Sequence, residues 1–404
     1  MAGPVPGGDP WRTRLPLLVT THVVGTANVV SVMAMAPVIT GDLGIGAIAF
    51  GTFVSAYYGA QACGSLPAGA LTDRLGVART LLVCHGAMAL AALTMGLASG
   101  YAQCLGAMFL MGLGYALSNP STARGVFDWF PAAKRGTAMG LKQVGVPLGG
   151  IAAAGSGALA GSVHWQTIML AIAGLIAVNG GLCLFLLAAD REQPAAQERP
   201  NPLANIRDVL GDGNFRRFAV LSGLLNAGQT NFFGFLALFL TEAARAGQPL
   251  AAFAIGLAQA ASALARVGWG VVGDRWFLGR RKVLKAWICG AAALMLALMV
   301  LVAPGPLGIG IALVLTVGLG VTIASFAPTT QAIAVEAVAP HLAGSATGLT
   351  MVGLHLGGML GPVAFGAAVD AFGGFQAGWL LTAAATALGT LMLVFWFREG
   401  RAAI

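Results

Sequence analysis

Charge is what this sequence has least of. Only 9% of its 404 residues are Asp, Glu, Lys or Arg, while 57% are hydrophobic and the mean hydropathy is +0.83. Soluble domains carry about 25% charged residues, so a water-facing globule is excluded. Acid is scarcer than base, 14 residues against 22. No Gly-x-x-x-x-Gly-Lys phosphate loop, nucleophile triad or metal-ligand spacing occurs, which argues against nucleotide hydrolysis by this chain, catalysis, a metal and a cofactor. The cysteines Cys63, Cys84, Cys104, Cys183 and Cys289 fall inside apolar runs and read as small buried hydrophobes. A cleavable signal peptide is not expected, because the first apolar stretch is long and lacks a small-residue cleavage site.

Long apolar runs fill the rest. A helix crosses a bilayer with about 20 apolar residues, and the charge-poor stretches supply twelve spans: 15–39, 46–68, 80–99, 102–128, 137–160, 165–189, 216–241, 250–273, 284–303, 307–336, 343–369 and 376–397. The expected fold is an all-α membrane protein of two six-helix bundles, 1–189 and 216–404, joined by a polar, Pro-containing linker at 190–215 with a short surface helix. Of the 22 Lys and Arg residues, Arg245 alone falls on one side and Arg124, Lys142 and Arg266 inside; the others fall on the opposite side. Cytoplasmic loops retain positive charge, so both termini are expected in the cytoplasm. The net charge of +8 thus has a topological cause, and with no basic face beyond the membrane flanks a nucleic-acid partner is not expected.

The two bundles repeat one another. Gly69-Ala-Leu-Thr-Asp73-Arg74-Leu-Gly76-Val-Ala-Arg79 recurs more loosely as Gly270-Val-Val-Gly-Asp274-Arg275-Trp-Phe-Leu-Gly279-Arg280-Arg281-Lys282. Gly136-Thr-Ala-Met-Gly140-Leu-Lys142-Gln-Val-Gly145 recurs as Gly344-Ser-Ala-Thr-Gly348-Leu-Thr350-Met-Val-Gly353, and Asn119-Pro120-Ser121-Thr122 as Ala327-Pro328-Thr329-Thr330. Parallel repeats of this kind place a substrate site between the halves near the midplane, with alternating access by rocking. The Gly-x-Leu-x-Asp-Arg-x-Gly-x-x-Arg phrase resembles the signature of the major facilitator superfamily, and the helix count, linker and duplication extend that resemblance over nearly the whole chain.

The phrase also suggests a gate. Gly69 and Gly76 permit close packing and a sharp turn, and Asp73 suits a helix N-terminus. Arg74 is expected to meet Asp128, and Arg275 its repeat partner Glu336, in a cytoplasmic latch completed by Asp73 and Asp274. It would form in the outward-facing state and part in the inward-facing one. Static ion pairs are the plainer alternative.

Ionised groups inside a membrane are costly and usually functional. Here they are Arg124, Lys142 and Arg266, with no carboxylate expected at mid-membrane, so an anionic substrate would balance the charge. Arg266 lies eight residues before Asp274, about 12 Å along the helix, and a guanidinium grips a carboxylate with paired hydrogen bonds. The run Arg266-Val-Gly268-Trp-Gly270 resembles helix eight of oxalate/formate antiporters and monocarboxylate transporters, which implies a substrate-binding Arg. Ser262 stands where the latter tend to place an Asp. His355 falls where those antiporters have a basic residue, implying a second anion contact or a proton carrier. Trp129-Phe130-Pro131 with Gly140-Leu-Lys142-Gln resembles cyanate and nitrate permeases, and Arg124 and Lys142 read as anion contacts or entry-path residues; Arg124, one turn before Asp128, alternatively belongs to the latch network. In the family resembled, helices one, two, seven and ten face the cavity, which nominates Asn28, Tyr57, Gln61, Gln229, Asn231 and Gln331.

The resulting expectation is a monomeric secondary transporter of a small carboxylate-type anion in a bacterial inner membrane. A proton or counter-anion is the coupled partner. A proton-driven drug or metabolite exporter and a non-transporting membrane receptor are the alternatives.

Overall fold

The computed structural model describes residues 9–191, 206–277, 280–338 and 342–399, and no strand occurs among them. Its helices fall into two sets of six spans. Span one is Leu15–Ala34 continued by Ala36–Leu43, span two Ala47–Leu75, and span three Val77–Gly96. Span four is Tyr101–Ala116 with Ser118–Trp129, span five Arg135–Leu159, and span six Trp165–Leu182 extended by Leu186–Arg191. The second set is Gly213–Glu242 (span seven), Gln248–Trp276 (eight), Arg281–Leu298 (nine), Pro306–Val321 with Ala327–Glu336 (ten), Ala343–Phe372 (eleven) and Phe375–Phe395 (twelve). The linker helix is Ile206–Gly211; the preceding 192–205 lie outside the described residues.

The outer surface suits lipid: Leu307, Phe185 and Phe395 are 80%, 77% and 74% exposed, which water would not tolerate in bulk. Cys63 is exposed on span two, against expectation, while the other four cysteines are buried.

Span four is continuous as expected, with only Leu117, itself in a right-handed helical conformation, between its two segments. Span ten was expected to be continuous and is broken. A proline has no N–H and clashes with the carbonyl four residues earlier, and the chain of span ten leaves the helix between Val321 and Ala327, around Ala324, four before Pro328. Of the two repeat-related prolines, Pro328 alone breaks its span.

The halves meet along spans two with eleven and five with eight. At the end remote from the termini the fit is tight. Asp370 of span eleven accepts hydrogen bonds from the Ala47 and Ile48 N–H groups at the start of span two, at 3.2 and 3.0 Å, where the helix end favours a carboxylate. Gln248 Nε2 donates to the carbonyls of Ala34 and Gly157 at 2.8 and 3.0 Å, tying span eight to spans one and five. A Cβ on Gly51 would strike the Pro362 carbonyl, and one on Gly366 would lie 2.6 Å from Ile48 Cα. Toward the face carrying the termini the fit is loose: a Cβ on Gly69, Gly140, Gly268 or Gly348 would meet nothing. The halves are thus pressed together at the far face and packed less closely toward the termini.

Candidate functional site

The break in span ten organises the centre. Freed of its helical partner, the Ala324 carbonyl accepts from Gln229 Nε2 of span seven at 3.1 Å, Ser262 Oγ of span eight at 2.8 Å and Arg266 Nη2 at 3.1 Å. The Val321 carbonyl accepts from Trp269 Nε1 at 2.7 Å. Arg266 Nε also donates to Ser262 Oγ at 3.3 Å. Ser262, standing where a carboxylate was considered, therefore positions the arginine without neutralising it. One edge of the guanidinium is fixed, Nη1 has no partner among the described residues, and the partly exposed side chain interacts electrostatically with Tyr115 of the opposite half.

Facing it is an aromatic group that sequence reading largely missed. Tyr57 lies 5.1 Å from Tyr58 and 6.3 Å from Tyr115 between ring centroids, and Tyr58 lies 6.3 Å from His355. His355 Nδ1 is 3.1 Å from Ser65 Oγ across the half interface. Ser65 is the repeat counterpart of Arg266, eight residues before Asp73. The chain has 4 tyrosines, and three converge here; that scarcity was the available signal. From the expected set, His355 and Tyr57 are thus brought together through Tyr58, while Arg266 is tied to Ser262 and Ala324.

Lys142 is placed elsewhere. It is fully buried, with Nζ donating to Asn119 Oδ1 at 2.9 Å and Thr122 Oγ1 at 3.0 Å. It has no opening to the centre in this conformation, because Gly145 and Gly149 bring span five hard against span one. The amides are mainly helix ties: Asn28 Nδ2 donates to Met88 O at 3.4 Å, and Asn231 Nδ2 to Thr382 Oγ1 at 2.9 Å. Gln61 is buried, and Gln331 half-buried on span ten.

A second fully covered lysine was missed. Lys285, counted with the cytoplasmic cations at the start of span nine, is fully buried in the helix Arg281–Leu298. Its Nζ donates to Thr330 Oγ1 and sits 4.6 Å from the Phe326 ring centroid. Thr122 and Thr330 are repeat equivalents, so each half holds one buried lysine on the same threonine, delivered by different helices.

At the termini-bearing face the ion pairs are redistributed. Arg124, not Arg74, takes Asp128, Nε to Oδ2 at 3.0 Å, and Arg124 Nη1 also donates to Asp73. Arg281, not Arg275, takes Glu336 at 2.8 Å. Arg275 rests 5.8 Å from the Trp276 ring centroid. The helix N-terminus offered to Asp73 receives Asp190, whose Oδ2 accepts from Ala78 N at 2.7 Å beneath Gly76, at φ 81°. These pairs lie within one half or the other. The side chain of Asp274 lies outside the described residues.

Two repeated six-helix halves, closed at one face around a central cluster of polar and cationic side chains, are the architecture of a membrane transporter. The chain belongs to the Major Facilitator Superfamily, whose family description it matches over residues 17–349. It is similar to the hexuronate transporter of Bacillus subtilis (strain 168), 27% identical over 47% of this chain and 46% of that protein. It is also similar to an uncharacterized MFS-type transporter of Mycobacterium tuberculosis, 30% identical over 46% of this chain and 32% of that one. The matched chain therefore spans less than half the length of these curated relatives. Among solved structures, nucleoside transporter NupG aligns with TM-score 0.78 at 16% identity over 95% of this chain and 100% of that one. A bacterial homologue of the human lysosomal transporter Spinster aligns with TM-score 0.74 at 16% identity over 96% and 97%. At such identities the likeness concerns the fold.

Proposed function

We propose that this transporter moves a small carboxylate-type organic anion by alternating access, with Arg266 as its principal contact. The observation that carries the reading is the half-used guanidinium: one edge held by Ala324 O and Ser262, Nη1 left to the space between the halves. A carboxylate there completes a charge-assisted pair. Tyr57, Tyr58 and Tyr115 supply ring faces and hydroxyls, and His355 a polar edge from span eleven. The hexuronate carried in the name of one relative is itself a carboxylate, which agrees with this reading. By the positive-inside rule the termini are cytoplasmic and the closed face is external, so the conformation is inward-open. A drug exporter would need a protonatable carboxylate at mid-depth, and the site offers cations. Purified protein in proteoliposomes should take up labelled mono-, di- or hexuronic carboxylates, stimulated by internal counter-anion or by a proton gradient. Transport of cationic amphiphiles with no carboxylate flux would overturn the reading.

The ion pairs at the cytoplasmic face, formed inside each half while that face is open, brace the inner ends of the halves and do not latch them together. Because Arg124 serves two carboxylates, Arg124→Gln should slow initial uptake by up to roughly fivefold, the equivalent of about 1 kcal/mol for such partly exposed pairs. Adding Asp73→Asn should slow it no further. Additive losses in the double variant would show that the two carboxylates act separately.

A further inference from the structure

The polar chain behind Tyr115 is not used by the anion contact. His22 of span one is 2% exposed, and its Nε2 lies 3.0 Å from Thr122 Oγ1, the same oxygen that receives Lys142 Nζ at 3.0 Å. Two groups within 3.0 Å of one atom are at most about 6 Å apart, where like charges inside a protein repel strongly. The Thr122 hydroxyl donates to Ser118 O at 2.7 Å, so its oxygen accepts from both Lys142 and His22 Nε2–H. His22 Nδ1 is then left as the acceptor, 3.5 Å from the Tyr115 hydroxyl, which itself lies 3.2 Å from Thr26 Oγ1. Tyr115 also interacts electrostatically with Arg266 of the opposite half.

We propose that His22 Nδ1 is the binding site of a coupling proton, that Lys142 is the fixed positive charge opposing its occupancy, and that the anion on Arg266 relieves that opposition. This rests on the anion reading above. A negative charge beside Tyr115 favours a proton on His22, and by linkage the proton favours the anion to the same degree. Proton and anion then bind together and cross together, which makes the carrier a symporter. The proton enters from whichever side the cavity faces and passes Tyr115, whose hydroxyl turns toward Thr26 as Nδ1 is filled. The titratable neighbours around the pair are Tyr115 on span four and Lys142 on span five. Cys84 on span three and Arg266 of span eight act on Tyr115, Cys183 on span six lies by Thr21, and no carboxylate acts on His22 or Lys142 among the described residues. Tyr57 of span two stands beside Tyr115.

Proteoliposomes with trapped pyranine test this. Adding the transported carboxylate outside wild-type vesicles should acidify the lumen. In His22→Gln the acidification per anion exchanged should fall to the protein-free background, with equal-pH exchange slowed by the lost coupling but still measurable. Lys142→Met leaves Thr122 bonded to Ser118 and should extend proton-driven uptake to higher pH, because the charge opposing protonation is gone. A purely structural lysine would leave that pH profile in place. Anion exchange by wild type without acidification, or acidification surviving in His22→Gln, overturns the proton site and leaves the anion reading standing. Absence of exchange for every carboxylate overturns the anion reading.

Discussion

Arg266→Ala is expected to abolish carboxylate exchange while the protein remains folded. Removing one partner of a desolvated charge pair costs about 2–5 kcal/mol, roughly 30- to 4,000-fold in affinity at about 1.4 kcal/mol per factor of ten. The fold should survive because the Ala324 carbonyl keeps Gln229 and Ser262 at 3.1 and 2.8 Å. Arg266→Lys retains the charge but loses the planar fork, and should bind the anion at least tenfold more weakly than wild type, on the order expected when a bidentate grip becomes a point charge. Ligand-induced thermal stabilisation of the detergent-solubilised variants measures binding apart from turnover. Stabilisation of Arg266→Ala by the anion, equal to that of wild type, would remove Arg266 from the site.

Gly366→Val is expected to drive the resting conformation toward the opposite access state. The glycine lies against Ala47 and Ile48 at the closed face, where an added Cβ would come within 2.6 Å of Ile48 Cα. Overpacking of this kind costs about 1–3 kcal/mol, and only the conformation closed at this face bears it, so the equilibrium should shift roughly 5- to 150-fold toward the state open there. Gly51→Val, set against the Pro362 carbonyl, should do the same. Gly140→Val is the control, since its added carbon meets nothing. In a cysteine-free background, a single cysteine replacing Tyr58 should become labelled by an impermeant thiol reagent from outside in the two wedge variants and not in the control. Unchanged labelling would mean that this seam does not hold the closed state.

The sequence made the membrane class and the duplication legible because each rests on a local or periodic signal. Charge scarcity marks the spans, and the recurrent Asp-Arg phrase marks the halves. Contacts between non-adjacent helices were harder. Arg74 and Asp128 are matched by repeat symmetry, but Arg124 sits one helical turn from Asp128 and reaches it first. Lys285 looked like part of a basic loop because Arg280, Arg281 and Lys282 precede it. Only the position of span ten makes a cover of Phe326 and Thr330 over it. Pro328 was visible, yet its effect depended on donors from spans seven and eight being ready to take the carbonyl it releases. Such readiness is a property of packing and leaves no trace in spacing.

Those released carbonyls bear on how specificity can drift. Ala324 O has more donors than it needs, so the residue at position 266 is free to change without exposing an unsatisfied backbone group in the membrane. Gln229 and Ser262 insure the scaffold, and the arginine is left answerable to the cargo alone. A descendant of this chain could therefore exchange an anion for a neutral solute by one substitution at that position and inherit an intact helix break.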